Sequence, residues 1–332
     1  MTKLSVIDMH TGGEPVRIVT GGYPPIPRGT ILEKRAWVRE NVDHLRRLLM
    51  FEPRGHYDMY GALLVEPDLP DADLAVLFMH NEGYSTMCGH AVIALGRYAV
   101  DEGMVPVREP VTIVNIEAPC GLVTASVEVK DGKAGAVSFE SVPAFLFARD
   151  QATDLPGFGT VGFDIAYGGA FYALAHCRQF GLEFGRNRVR DFVDAATALT
   201  ERLKADFPLA HPDHPDLAFL YGTILTDGGL GQDAPTRNVC VFADAEVDRS
   251  PTGSGVTARL ASMYAKGEIA LGESRSFESI VGSRFTGAVA RAVRAGTHDA
   301  IIARVGGRAF YSGRAEFWLE EDDELGRGFL LR

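Results

Sequence analysis

At 332 residues the chain exceeds what one hydrophobic core usually organises, so two domains are expected. Apolar residues make up 46% and charged residues 23%, an ordinary globular balance, and no apolar run approaches the roughly 18 residues that cross a bilayer, which argues against membrane association. The net charge is −11 with no Lys/Arg cluster, so a phosphate-tracking surface has no basis and nucleic acid is not an expected partner.

From the N-terminus, Met1 to Asp8 runs directly into a strand-like alternation, without the apolar stretch and small-residue cleavage site of a secretory signal; a cytoplasmic protein is expected. Strand patterns punctuated by Gly and Pro fill most of the chain, and apolar periodicity predicts helices over about 89–102, 190–206 and 253–267. The fold class is therefore mixed α/β. The cysteines Cys88, Cys120, Cys177 and Cys240 are far apart and lack C-x-x-C spacing, which argues against a disulfide framework and a structural zinc. Cys120, Cys177 and Cys240 read as packing residues.

Three segments recur in the same order. Thr11-Gly12-Gly13-Glu14-Pro15 is echoed by Tyr167-Gly168-Gly169-Ala170-Phe171, about 156 positions on, and Tyr57 to Val65 is echoed by Leu217 to Leu225 at about 161. The third echo carries strand, loop and helix. Leu77-Phe78-Met79-His80 leads through Cys88-Gly89-His90 into an apolar helix, and Val239-Cys240-Val241-Phe242 leads through Asp248 to Gly255 into another, about 164 positions later. Three echoes at nearly one offset imply two homologous halves.

Cys88 and Thr252 occupy equivalent places, each just before a glycine that opens a helix. Such a start presents unbonded N–H groups and the positive end of the dipole; it binds a carboxylate and favours a thiolate. The amides of Gly89, His90, Gly253 and Ser254 are the expected donors to a small carboxylate, and Asp248 and neutral His90 the expected acceptors for an ammonium. Other readings stay open for these residues alone: a buried packing cysteine, an ordinary Thr N-cap, a carboxylate-binding protein without catalysis, or a Cys/His hydrolase.

Asp8 to Pro15, Met87-Cys88-Gly89-His90 and Asp248 to Gly255 together resemble the proline racemase family, and Arg54 to Gly61 and Gly168 to Leu174 extend the resemblance over nearly the whole chain. It implies the diaminopimelate-epimerase-like fold: two pseudo-symmetric α/β domains, each a β-sheet wrapped around a central helix, with the active site in the cleft between them. We place the first domain at 1–130 with about 306–332 returning to it, and the second at 131–305. The resemblance also implies no cofactor, a hydroxyproline or proline substrate, and a homodimer.

Family racemases and epimerases use two cysteines, one on each face of the substrate α-carbon. This chain carries Thr252 at the second position, and a hydroxyl is a poor acid or base for a carbon acid. Within the family the Cys/Thr combination resembles members that dehydrate trans-3-hydroxy-L-proline: Cys88 removes the α-proton and the 3-hydroxyl leaves, giving Δ1-pyrroline-2-carboxylate. The alternatives are 4-hydroxyproline epimerisation and proline racemisation.

Overall fold

The computed structural model describes residues 2–331. The chain divides into two compact units, residues 1–137 with 308–332, and 138–307.

In the first unit, antiparallel strands Thr2–Thr11 and Glu14–Gly21 are joined by Gly12-Gly13, both at positive φ (62° and 90°). A two-residue hairpin turn of type I′ needs positive φ at both positions, which glycine adopts without steric cost. Two helices follow, α1 (Ile31–Asn41) and α2 (Asp43–Met50). Thr30 starts α1 through a capping box with Glu33, so the opening of α1 was written in the sequence as Thr-x-x-Glu. Strand Gly61–Val65 then pairs parallel with Glu14–Gly21 and antiparallel with Leu74–Met79, which pairs parallel with Val111–Ala118, and this with Gly121–Lys130. The last strand, Ala309–Leu319, returns to pair with Thr2–Thr11.

Helix α3 (Gly89–Asp101) is buried along eleven of its thirteen residues and contacts five of these strands, which wrap around it. Gly96 allows the close approach, since a Cβ there would lie 3.1 Å from Val137 Cγ1 and 3.3 Å from Ala125 Cβ. The opposite sheet face is covered by α1 and α2. Val38, Leu45, Leu48 and Leu49 pack on Leu4, Val6, Leu63 and Leu77, the alternate positions of the same strands.

The second unit repeats the plan. Strands Ala144–Leu155, Gly159–Tyr167 and Phe171–His176 are followed by α4 (Val189–Asp206), then Leu220–Thr226, Thr236–Phe242 and the short Glu246–Asp248. Next come α5 (Gly253–Ala265), Ser274–Glu278, Arg284–Ala295 and His298–Gly307. Phe171–His176 pairs parallel with Leu220–Thr226, and Thr236–Phe242 parallel with Ser274–Glu278, matching the two parallel pairings of the first unit. Here the pairings close, because His298–Gly307 also bonds Ala144–Leu155. Helix α5 lies within the ring, buried along eleven of thirteen residues. The repeat expected from the three sequence echoes is thus present as a repeated order of strands and helices. Helices α3, α4 and α5 fall within two residues of the expected spans; α1 and α2 are additional.

Among the described residues no helix is long and apolar enough to cross a membrane.

Candidate active site

Each unit presents a helix start whose N-cap side chain leaves the helix uncapped. Cys88 is the N-cap of α3, in extended conformation, and makes no capping hydrogen bond. The first intrahelical bond is Val92 N–H to Cys88 O, so the amides of the first turn point out of the helix end as donors.

Cys88 is 4% exposed, and its Sγ lies 3.1 Å from His90 Nδ1. The far side of that ring fixes one proton. His90 Nε2 is 3.1 Å from the Pro15 carbonyl, which can only accept, so Nε2 carries a hydrogen, and in the neutral ring Nδ1 faces the thiol with a lone pair. A nitrogen so placed is able to accept the thiol proton, and the positive end of the helix favours a thiolate there. Tyr60 packs edge-on to His90 at 4.9 Å and bonds Ser85 Oγ through its hydroxyl. The Thr11 hydroxyl donates to His90 O at 2.8 Å, tying the glycine hairpin to the first turn of α3.

In the second unit, Thr252 is the N-cap of α5 at φ 65°, ψ 95°, unusual for a β-branched residue. Threonine ordinarily caps a helix with its hydroxyl. Here Oγ1 does not cap, is buried, and has no hydrogen-bond partner among the described residues. Asp248 is buried with its Oδ1 accepting from Ser250 N–H at 2.7 Å, and Ser250 Oγ accepts from Thr252 N–H at 3.1 Å, so the carboxylate shapes the turn that delivers Thr252.

Gly253 and Ser254 form the first turn of α5, with Ser254 Oγ 2.7 Å from the Tyr172 hydroxyl. The glycine pair recurs: a Cβ on Gly168 would meet Ser254 O at 2.2 Å, so only glycine lets this hairpin lie against the helix start. Gly255 is close-packed too: a Cβ there would lie 2.6 Å from Ile224 Cδ1 and 3.0 Å from Thr252 Cγ2, side-chain atoms that would have to move aside.

The structure thus gathers Cys88, Gly89 and His90 at one helix start, and Asp248, Thr252, Gly253 and Ser254 at the other. Sequence reasoning missed Tyr60, Tyr172, Asn238, Ser250 and Arg259, which support these groups from neighbouring strands and loops, from within the turn and from α5 itself. Tyr60, Tyr172 and Ser250 lay inside the family motifs, and that was their only signal. Loss of solvation pushes the Cys120 thiol up to about 12, and burial raises that of Cys177, so both stay protonated near neutrality. Cys240 is fully buried.

Each unit is thus a sheet wrapped around a buried helix whose start carries no side-chain cap, and this plan is built twice in the chain. The family described as proline racemase matches residues 6–330, and the chain belongs to that family. It is 57% identical to a trans-L-3-hydroxyproline dehydratase of Xenopus tropicalis, over 99% of this chain and 95% of that one. A 3-hydroxyproline 2-epimerase of Burkholderia multivorans is 46% identical, over 99% and 98%. Among solved structures, a hydroxyproline epimerase from Agrobacterium vitis with trans-4-hydroxy-L-proline bound superposes with TM-score 0.92 at 31% identity, covering 99% of this chain and 96% of that one.

Proposed function

We propose that this chain is a trans-3-hydroxy-L-proline dehydratase that works without a cofactor, Cys88 being the base. The observation that carries the reading is the contrast between the two helix starts: a thiol with an imidazole acceptor at one, and at the other a buried hydroxyl with neither a cap bond nor a titratable neighbour in hydrogen-bond contact. One start is equipped to take a proton from carbon; the other lacks the thiol that would return one to the opposite face. The dehydratase relatives at 57% identity support the same choice.

The substrate carboxylate is received by the first-turn amides of Gly89, His90, Gly253 and Ser254, and the ring nitrogen by Asp248, the His90 ring being engaged by Cys88 and the Pro15 carbonyl. Cys88 thiolate takes the α-proton and becomes a thiol. Charge developing on the α-carbon spreads into the carboxylate, where each preorganised donor contributes about 2.7–4 kcal/mol. The electron pair of the broken C–H bond forms the C2–C3 double bond as the C3–O bond breaks. The leaving hydroxide takes up a proton from solvent as water, with Thr252 Oγ1 bonding the departing oxygen, and the Cys88 thiol later releases the α-proton to solvent, which restores the thiolate. The enamine then tautomerises to Δ1-pyrroline-2-carboxylate. A cytoplasmic location and a homodimeric state belong to the same proposal.

A second reading, epimerisation, is favoured by the 46% identical relative that carries that name. A substrate panel separates the two. Trans-3-hydroxy-L-proline is expected to yield the cyclic imine, while trans-4-hydroxy-L-proline and L-proline keep their optical activity in deuterated solvent. Strong loss of optical activity without imine would replace dehydration by epimerisation.

A further inference from the structure

The peptide plane between Pro251 and Thr252 is held at both ends. Its carbonyl accepts from Asn238 Nδ2 at 3.1 Å, and its N–H donates to Ser250 Oγ at 3.1 Å. On the other side of Thr252, its own carbonyl accepts from Val256 N–H at 2.7 Å as the first bond of α5. Thr252 therefore lies between two fixed planes, and its φ of 65° is what remains to join them. A branched residue stays in that region only when its surroundings over-determine it.

Asn238 is fully buried on strand Thr236–Phe242 and is itself fixed. Its Oδ1 accepts from Arg259 Nη1 at 3.0 Å, and Arg259 Nη2 donates to Thr236 Oγ1 at 2.7 Å. The guanidinium sits over the Phe277 ring, 4.9 Å from its centroid. Arg259 belongs to the second turn of α5, so the helix reaches back through Arg259 and Asn238 to hold its own entry.

We propose that Asn238, oriented by Arg259, is a positioning residue for the reaction: by clamping the Pro251 carbonyl it keeps Thr252 at positive φ and so prevents the Thr252 hydroxyl from capping α5. Released from the clamp, Thr252 relaxes to the extended conformation of an ordinary N-cap, and its hydroxyl accepts from a first-turn amide. That removes the hydroxyl from the substrate. The functional half of this inference rests on the dehydratase reading above.

Asn238→Asp tests it, because aspartate keeps the acceptor for Arg259 while setting an oxygen against the Pro251 carbonyl. The expected result with trans-3-hydroxy-L-proline is a kcat lowered roughly tenfold or more, with KM raised as well, because the new cap bond occupies a first-turn amide that would receive the carboxylate. A crystal structure of the variant is expected to place Thr252 at negative φ with Oγ1 bonded to an α5 amide. Thr252 remaining at positive φ overturns the proposal whatever the rate, and so does an unchanged kcat once φ has moved. If the wild type forms no imine, the dehydratase reading fails and the φ of Thr252 in the variant alone decides the clamp. Should Asn238→Asp not fold, Arg259→Lys, which keeps the charge but loses the paired nitrogens, is put through the same two measurements with the same reading.

Discussion

In the proposed reaction sulfur at position 88 has two functions that oxygen cannot both take over. The thiol would give up its proton to the His90 Nδ1 that lies 3.1 Å away, whereas a serine hydroxyl in the same place ionises far less readily. Serine is also a strong N-cap residue, and α3 has no side-chain cap at present. Cys88→Ser is therefore expected to lower kcat by roughly 10²–10⁴-fold while the melting temperature holds or rises, because the new hydroxyl bonds a first-turn amide. The same bond occupies a donor meant for the carboxylate, so KM rises as well. Steady-state kinetics with thermal denaturation check this; a variant keeping most of its activity removes Cys88 from the role of base. The position of Cys88 was legible because it recurs in a repeated frame. Its partner nitrogen was only half legible: His90 was in the motif, but the choice of Nδ1 for sulfur depends on the Pro15 carbonyl, 75 residues away in sequence.

Elements carry the site by how closely they approach one another. Gly168 presses its hairpin onto the first turn of α5, where an added Cβ would fall 2.6 Å from Ala258 N and nearer still to Ser254 O. Both obstacles are helix backbone and cannot rotate aside. Gly168→Ala is expected to cost about 1–3 kcal/mol and to lower activity, since the helix start it displaces carries Thr252 and Ser254; chemical denaturation alongside kinetics checks both. Behind α5, strand Ser274–Glu278 is pinned by Glu278, whose carboxylate accepts from Arg237 at 2.8 Å and Arg284 at 2.9 Å. Desolvation raises the Glu278 pKa, but hydrogen bonds from Arg284 and Arg237 outweigh it and hold the carboxyl below its ordinary value. A lowered folded-state value stabilises the fold above the ordinary value, and that contribution is lost as pH falls through the lowered one. Glu278→Gln is therefore expected to be less stable than wild type by about 1 kcal/mol at pH 7, with the gap closing in acid. A gap that persists unchanged below pH 3 would mean that packing, not charge, holds the strand. The glycine pairs were visible as repeated motifs, but their reason, a helix backbone within van der Waals range, is a tertiary fact. Helix α1 escaped a reading by apolar periodicity because its many Arg, Lys and Glu residues interrupt the apolar stripe, and α2, though clearly two-faced, is only eight residues long; the Thr30-x-x-Glu33 box was the usable signal.

At the scale of the molecule the two units solve one problem in different ways. Both wrap a sheet around an apolar helix, yet the second is a continuous segment whose strand ring closes on itself, and the first recruits Ala309–Leu319 from the far end of the chain. The plan was legible from three echoes at a nearly constant offset, because homologous segments place equal residues at equal turns. The ring closure was not, because it depends on a pairing between Phe145 and Ala300 that no local pattern encodes. This difference gives truncation a definite outcome. Removing residues 308–332 strips Thr2–Thr11 of its neighbour along ten register positions and leaves a long bare edge, which no other strand of the first unit replaces. The strands of residues 138–307 lose no partner from their ring. In the truncated chain, amide hydrogen exchange is expected to accelerate across Thr2–Thr11 and the strands bonded to it, while Ile224, Val239 and Val241 stay protected. Loss of protection at those three residues as well would show that the second unit depends on the first for its fold; retained protection would make it the independently stable half, with the Thr252 turn intact on a chain whose Cys88 half has come apart.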